Sequence, residues 1–220
     1  MAKEYPLRII PIEIFDESSF VYIVAGGPSL RGFDWRRLDG KQTIAINKAL
    51  YTCPTAKVLW WSDDRFFEEN RDTILAHKAP YKCTAYSDHV RFIYPDTIYA
   101  YRFNRMRGFD DSVSGISHGN NSGYAAIHFA VKLGAKKLVL LGYDFSHDKQ
   151  GATHWHDGYF MENGNKRDHT EHTLERKMLP NFASLEIPLK QRRVTVYNAN
   201  KDSKLTCWPR ITIEEALALA

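Results

Sequence analysis

Four short polar motifs carry residue types that can do chemistry. The first, Gly26-Gly27-Pro28-Ser29-Leu30, directly follows an apolar run. Glycines at a strand-to-helix turn let backbone amides approach a phosphate, and a helix start beyond them adds partial positive charge. The run lacks the Gly-Lys-Ser/Thr of a Walker loop and the spacing of GxGxxG, and an ordinary Gly-Pro turn accounts for the same residues. The second, Asn120-Asn121-Ser122-Gly123, opens the strongest helical stretch in the chain. It can offer amides and a hydroxyl to an anion, or simply cap the helix. The third, Leu140-Leu141-Gly142-Tyr143-Asp144-Phe145, sets Asp144 just past a buried strand. Ligands of α/β sheets bind at that carboxyl edge, although an Asp there also caps turns. The fourth is His154-Trp155-His156-Asp157. In extended chain the two imidazoles share a face and can ligate metal, but neither a Cys partner nor a second ligand pair accompanies them. A general base or a phosphate-binding histidine fits this loop better, because imidazole titrates near neutral pH.

Several single residues join these motifs. Asn47 ends the second predicted strand and Ser62-Asp63-Asp64 the third, so three strand ends converge on one edge. His169 and His172 form a further pair that a solvated helix face explains equally well, and His128 inside a helix reads as packing or surface. Arg102, Arg105 and Arg107 can hold phosphates or form a charged face.

The elements that must position these groups are legible as alternating periods. Strands are expected over 21–25, 43–47, 57–62, 81–86, 97–103, 137–141 and 194–197. Apolar runs of four or five residues predict strands covered on both faces, as in a parallel sheet. Helices are expected over 66–77, 122–133 and 214–220; the second has Asn121-Ser122 as cap and Gly134 as its stop. Leu174 to Leu189 keeps helical spacing, with a break or kink in that stretch expected from Pro180 and Pro188. The fold class implied is α/β: a Rossmann-like, mostly parallel sheet sandwiched by helices, with a polar lid segment over 146–170. The 220 residues are expected to form one domain. The polar stretches 104–121 and 146–170 are expected to be loops that carry function.

Composition narrows the class without naming a reaction. Hydrophobic residues at 44% with charged residues at 25% exclude wholesale disorder. No apolar run reaches the roughly 20 residues of a membrane helix, so no membrane span is expected. The start, Met1-Ala-Lys-Glu-Tyr-Pro, lacks the apolar core of a secretory signal. The three separated cysteines, Cys53, Cys83 and Cys207, form no disulfide framework and fit a reducing, cytoplasmic setting. A net charge of +4 permits a phosphorylated or nucleic-acid partner, but no dense basic run with interleaved aromatics favours nucleic acid.

The order of blocks resembles a known group. Ile23 to Leu30 followed by Phe33 to Leu38 and a strand ending in Asn47 is similar to the start of the bacterial CMP-sialic-acid-dependent sialyltransferases. Asn121-Ser-Gly-Tyr124, leading into Leu133 to Phe145, is similar to their second block. The same blocks recur in the family of the archaeal 6-hydroxymethylpterin diphosphokinase and in small prophage proteins, which the chain resembles in size, His-Trp-His loop and tail. The resemblance implies that Gly27, Pro28 and Ser29 flank nucleotide phosphates, that Asn47 contacts the nucleotide, and that Ser122 and Gly123 hold phosphate or ribose. Ser62 stands where the sialyltransferases have Asn, and Gly119 where they have Arg.

These readings lead to an expected nucleotide-dependent, glycosyltransferase-like transferase. Gly26 to Ser29, Asn47, Ser62, Asp63 and Asn121 to Gly123 would hold the nucleotide. His154 or His156 would deprotonate an acceptor hydroxyl, with Asp144 in the catalytic group and Tyr143 at the leaving phosphate. Partners would be a nucleotide or nucleotide-sugar and a small-molecule or glycan acceptor, with self-association left open. No metal would be required. The alternatives are a Mg²⁺-dependent diphosphokinase, with Asp63, Asp64 and Asp144 as ligands, and a non-catalytic accessory protein that binds nucleotides or nucleic acid.

Overall fold

A computed structural model describes residues 8–87, 94–157, 159–160, 166–167 and 172–219. Its centre is an eight-stranded sheet in which every neighbouring pair is parallel. In chain order the strands are β1 (Phe20–Val24), β2 (Gln42–Ile46), β3 (Val58–Trp61), β4 (Tyr81–Tyr86), β5 (Ile98–Arg105), β6 (Gly115–Ser117), β7 (Lys137–Leu141) and, after a two-residue hairpin of β8 (Tyr159–Phe160) with β9 (Lys166–Arg167), β10 (Thr195–Asn198). Across the sheet they run β10-β7-β1-β2-β3-β4-β5-β6. The chain leaves β1 toward β2 on one side and leaves β7 toward β10 on the other. The order therefore reverses between β1 and β7, which opens a crevice at their carboxyl ends.

The strands read as continuous apolar runs because both faces are covered. On one face Ile23, Ile44, Val58, Trp60 and Leu140 pack against α2 (Ser122–Lys132) and α3 (Ala183–Gln191). On the other, Tyr22, Val24, Leu59, Trp61 and Leu141 pack with Phe66, Phe67 and Ile74 of α1 (Asp64–Ala76) and Ala216 of α4 (Ile213–Leu217). Helix α2 is buried from Gly123 through Val131, as its lack of a polar stripe requires. Its alanines admit the close approach, and Phe129 tilts against Trp60 at 4.6 Å between centroids. Asn121 caps it, accepting hydrogen bonds from the Gly123 and Tyr124 amides, and Gly134 closes it at φ +100°, as the sequence predicts.

Two local expectations need correction. The helical spacing after Leu174 does break at Pro180, giving a π turn (Thr173–Met178) and a 3-10 turn (Leu179–Asn181). It does not break at Pro188, which lies inside α3; the helix is held there by Leu185 and Leu189, both buried. The stretch 104–121 is not all loop, since it contains the end of β5 and the short strand β6. Among the described residues no helix is long and apolar enough to cross a membrane.

His128, in the middle of α2, is fully buried and ties this helix to β6. The Ser117 amide donates to Nδ1 at 2.8 Å, so the ring proton sits on Nε2, which donates to the Asp110 carbonyl at 3.1 Å. Burial pushes its pKa down from 6.5 to about 3, against a smaller raising effect of the Asp110 carbonyl. The unfolded imidazole takes up a proton that the folded one refuses. This group therefore supports the fold fully above about pH 6.5, and its support is lost as pH falls from there toward 3. Urea midpoints of the wild-type and His128→Gln proteins at about pH 7.5 and 5 should show a steeper acid loss in the wild type. Equal pH dependence in the two would refute this assignment.

Candidate functional site

The crevice at the β1/β7 switch point is an open cavity of about 710 Å³. Its floor is two strand ends pressed together. The Gly27 amide donates to the Gly142 carbonyl at 2.9 Å, and a Cβ on Gly27 would sit 2.4 Å from that oxygen. No side chain fits there, so glycine is required for packing as well as for the turn. Gly142 itself adopts φ +71°.

Asp144 follows at once, and its carboxylate reaches back to the first loop. The Ser29 amide donates to Oδ2 and the Ser29 hydroxyl to Oδ1, both at 2.6 Å, and Asn200 donates to Oδ1 at 2.9 Å. Burial raises the Asp144 pKa, and the hydrogen bonds from Ser29 and Asn200 oppose that rise. The anion position at the start of the 3-10 turn Pro28–Leu30 is thus filled by the protein's own carboxylate. Tyr143 is likewise turned inward: its hydroxyl donates to the Gly123 carbonyl at 3.1 Å, and burial holds its pKa well above the usual value. These contacts give Ser29, Asp144 and Tyr143 architectural roles.

The other strand ends supply the walls. Asn47, one residue past β2, adopts φ +49°, and its side-chain Oδ1 is buried with no hydrogen-bond partner. A non-glycine residue held left-handed with an orphaned amide oxygen is costly unless something completes it. Ser62, one residue past β3, shares a 2.5 Å hydrogen bond with Ser122 at the start of α2, and the Trp60 indole donates to the Ser122 carbonyl at 3.1 Å. Asp63 caps α1 by accepting from the Arg65 amide at 3.0 Å, while Asp64 accepts from the Tyr94 hydroxyl at 2.7 Å.

The segment after β7 folds back over the first loop, as a lid would. The Trp155 amide donates to the Gly26 carbonyl at 2.9 Å, and its indole donates to the Ala25 carbonyl at 3.0 Å. Arg31 pairs with Asp148 at 3.0 Å. His154 and His156 stack with centroids 4.9 Å apart, and Nδ1 of His154 shares a 2.8 Å hydrogen bond with the Thr153 hydroxyl. Only His154 of the two borders the cavity; a Cβ on Gly26 would lie 2.8 Å from its ring.

Of the residues the sequence singled out, Gly26, Gly27, Asn47, Ser62, Asp63, Asn121, Ser122, Gly123, Tyr143, Asp144 and His154 line this cavity. Pro28, Ser29 and His156 are not part of its lining. His172 is exposed beside the π turn, and His169 lies outside the described residues. Arg107 donates to the Asn181 side chain at 2.7 Å, which braces the turn before α2. Asp63, Asp64 and Asp144 are each engaged in separate hydrogen bonds, and among the described residues no three metal-capable side chains converge.

Sequence reasoning missed His118. It lines the cavity, packs edge-on against Phe103 at 5.3 Å, and accepts the Asn120 amide on Nδ1 at 3.1 Å. Gly119 at φ +54° and Asn120 at φ +54° make the tight turn that presents it. A Cβ on Gly119 would meet the Tyr124 ring at 2.2 Å, so this turn excludes a side chain at that position. The available signal was the His-Gly-Asn-Asn run directly before the best-capped helix.

No family model matches the chain, and no curated protein matches it. Among solved structures it is similar to the sialyltransferase CstII from Campylobacter jejuni in complex with cytidine-5'-monophosphate. The identity is 15% and the TM-score 0.53, covering 90% of this chain and 86% of that one. A crystal structure of a variant of the same sialyltransferase with CMP gives 13% identity and a TM-score of 0.52, covering 87% and 86%. At these identities the shared property is the fold, a sialyltransferase-like one.

The Asp144 clamp is open to a direct test. Asp144→Asn removes the charge that two Ser29 donors face and should cost about 2 kcal/mol in urea unfolding. A loss below about 0.5 kcal/mol would show that the two loops are held without it.

Proposed function

We propose that the protein is a nucleotide-dependent transferase of the glycosyltransferase type. In this reading a nucleotide-sugar lies in the switch-point cavity and a hydroxyl acceptor enters beside the His154 lid. The observation that carries it is Asn47. Its strained backbone and its buried, unpartnered Oδ1 stand on a cavity wall where strand ends β1, β2, β3 and β7 meet. A carbonyl oxygen can only accept, and a phosphate has nothing to donate. The group that completes Asn47 is then a ribose hydroxyl or a base amine. The cavity is large enough for a nucleotide with an attached group. The fold shared with a sialyltransferase bound to CMP supports the same class of ligand.

The roles follow from the residues on the wall. Asn47 orients the nucleoside, and the Ser62–Ser122 pair and the nearby amide of Gly26 meet the phosphate and ribose. His154, flanked by the Thr153 hydroxyl, takes the acceptor proton as the acceptor oxygen attacks the donor carbon in line. The departing nucleotide phosphate is received by neutral hydrogen-bond donors on the α2 side of the cavity.

Thermal unfolding in the presence of CMP, UDP, GDP and ATP, each with and without Mg²⁺, tests the reading by mass action. At least one nucleotide should raise the Tm, and Asn47→Ala should weaken its binding by about tenfold. His154→Gln should lower transfer by about 100-fold or more while changing nucleotide affinity by less than about threefold. No shift with any nucleotide would overturn the proposal. A shift that strictly required Mg²⁺ would favour the diphosphokinase alternative.

A further inference from the structure

Charge on the cavity wall narrows the donor. We propose that the site selects a nucleotide donor whose transferred group is uncharged, so that a sugar bearing a carboxylate is discriminated against. This rests on the nucleotide reading above and specifies its substrate class.

Three observations support it. First, five carboxylates border the cavity (Asp63, Asp64, Glu68, Glu69 and Asp144) against one cationic side chain, Arg65, among the described residues. Glu68 and Glu69 are exposed on the first turns of α1, where their field acts on whatever occupies the mouth. Second, the histidine on the α2 side is pinned in its neutral form. A backbone N–H can only donate, so the Asn120 amide on Nδ1 of His118 leaves the ring proton on Nε2. Protonating His118 would set two N–H groups against each other, and burial also lowers its pKa. His118 is then a neutral donor and not a countercharge. Third, Asn47, Ser62 and Ser122 on the wall are neutral as well, and His154 acts as the proposed base in its neutral form.

Such a lining suits sugar hydroxyls and a phosphate. A second anion on the transferred group would be desolvated without a partner and repelled by α1.

Matched donor pairs differing by one carboxylate test this with the intact protein. Calorimetric titration would compare UDP-glucose with UDP-glucuronate, and the carboxyl methyl ester of CMP-sialic acid with CMP-sialic acid itself. In the pair that binds, the member without the carboxylate should bind about tenfold tighter or more. The double variant Glu68→Gln, Glu69→Gln should narrow that gap by about threefold, with a larger effect at low salt. Equal or tighter binding of the carboxylate member overturns this inference and leaves the nucleotide reading standing. A gap that the double variant leaves unchanged at any salt overturns the electrostatic basis. Failure of both members of both pairs, together with free CMP and UDP, overturns the nucleotide reading and this inference with it.

Discussion

The bond between the Asp144 carboxylate and the amide and hydroxyl of Ser29 is the constraint around which the site is built. The two residues lie 115 positions apart and follow the adjacent strands β7 and β1. Their pairing stacks the loop after β7 onto the loop after β1, with the Gly27 amide on the Gly142 carbonyl completing the contact. Everything that gives the cavity a floor depends on this closure. Tyr143 can reach the Gly123 carbonyl and pin α2 only because the β7 loop is held in that position. The lid then packs on a first loop whose shape is already set, through Trp155 on Ala25 and Gly26.

A consequence is that the two most obvious anion positions are occupied by the protein itself. Asp144 fills the one at the Pro28–Leu30 turn, and the Asn121 side chain takes the Gly123 and Tyr124 amides at the start of α2. Binding power therefore moves away from the glycine loop toward the ends of β2 and β3 and toward the turn at 118–121. There Asn47 has its unsatisfied oxygen, Ser62 and Ser122 hydrogen-bond to each other, and His118 offers a neutral N–H. A pocket built from neutral donors beside acidic α1 recognises by geometry more than by net charge, and the overall +4 is not concentrated in its described lining.

Much of the fold was readable from pattern. Runs such as Lys137–Leu141 and Thr43–Ile46 had the length and continuity of strands buried on two faces, and the parallel eight-stranded sheet is what such runs form. Asn121 and Gly134 marked the ends of α2 by cap chemistry, which is local and so visible in sequence. Pro188 misled because proline costs a helix only a few local interactions, and the buried Leu185 and Leu189 outweigh that cost. The convergence of Gly26, Asn47, Ser62 and Asp144 on one edge was legible because residues following parallel strands all emerge at the same end of a sheet.

The sequence by itself determined which residues stand at the carboxyl edge, since apolar period and strand ends are local properties of the chain. The tertiary structure alone decided which of them face each other and which face the cavity. Whether Asp144 meets a ligand or Ser29, whether Tyr143 points outward or onto Gly123, and whether His118 or His156 borders the opening all follow from strand order and from how α2 sits on the sheet. Those are contacts between residues far apart in sequence, and no periodicity encodes them. The same carboxylate that reads as a catalytic group in one dimension becomes, once β1 and β7 are neighbours, the clamp between them.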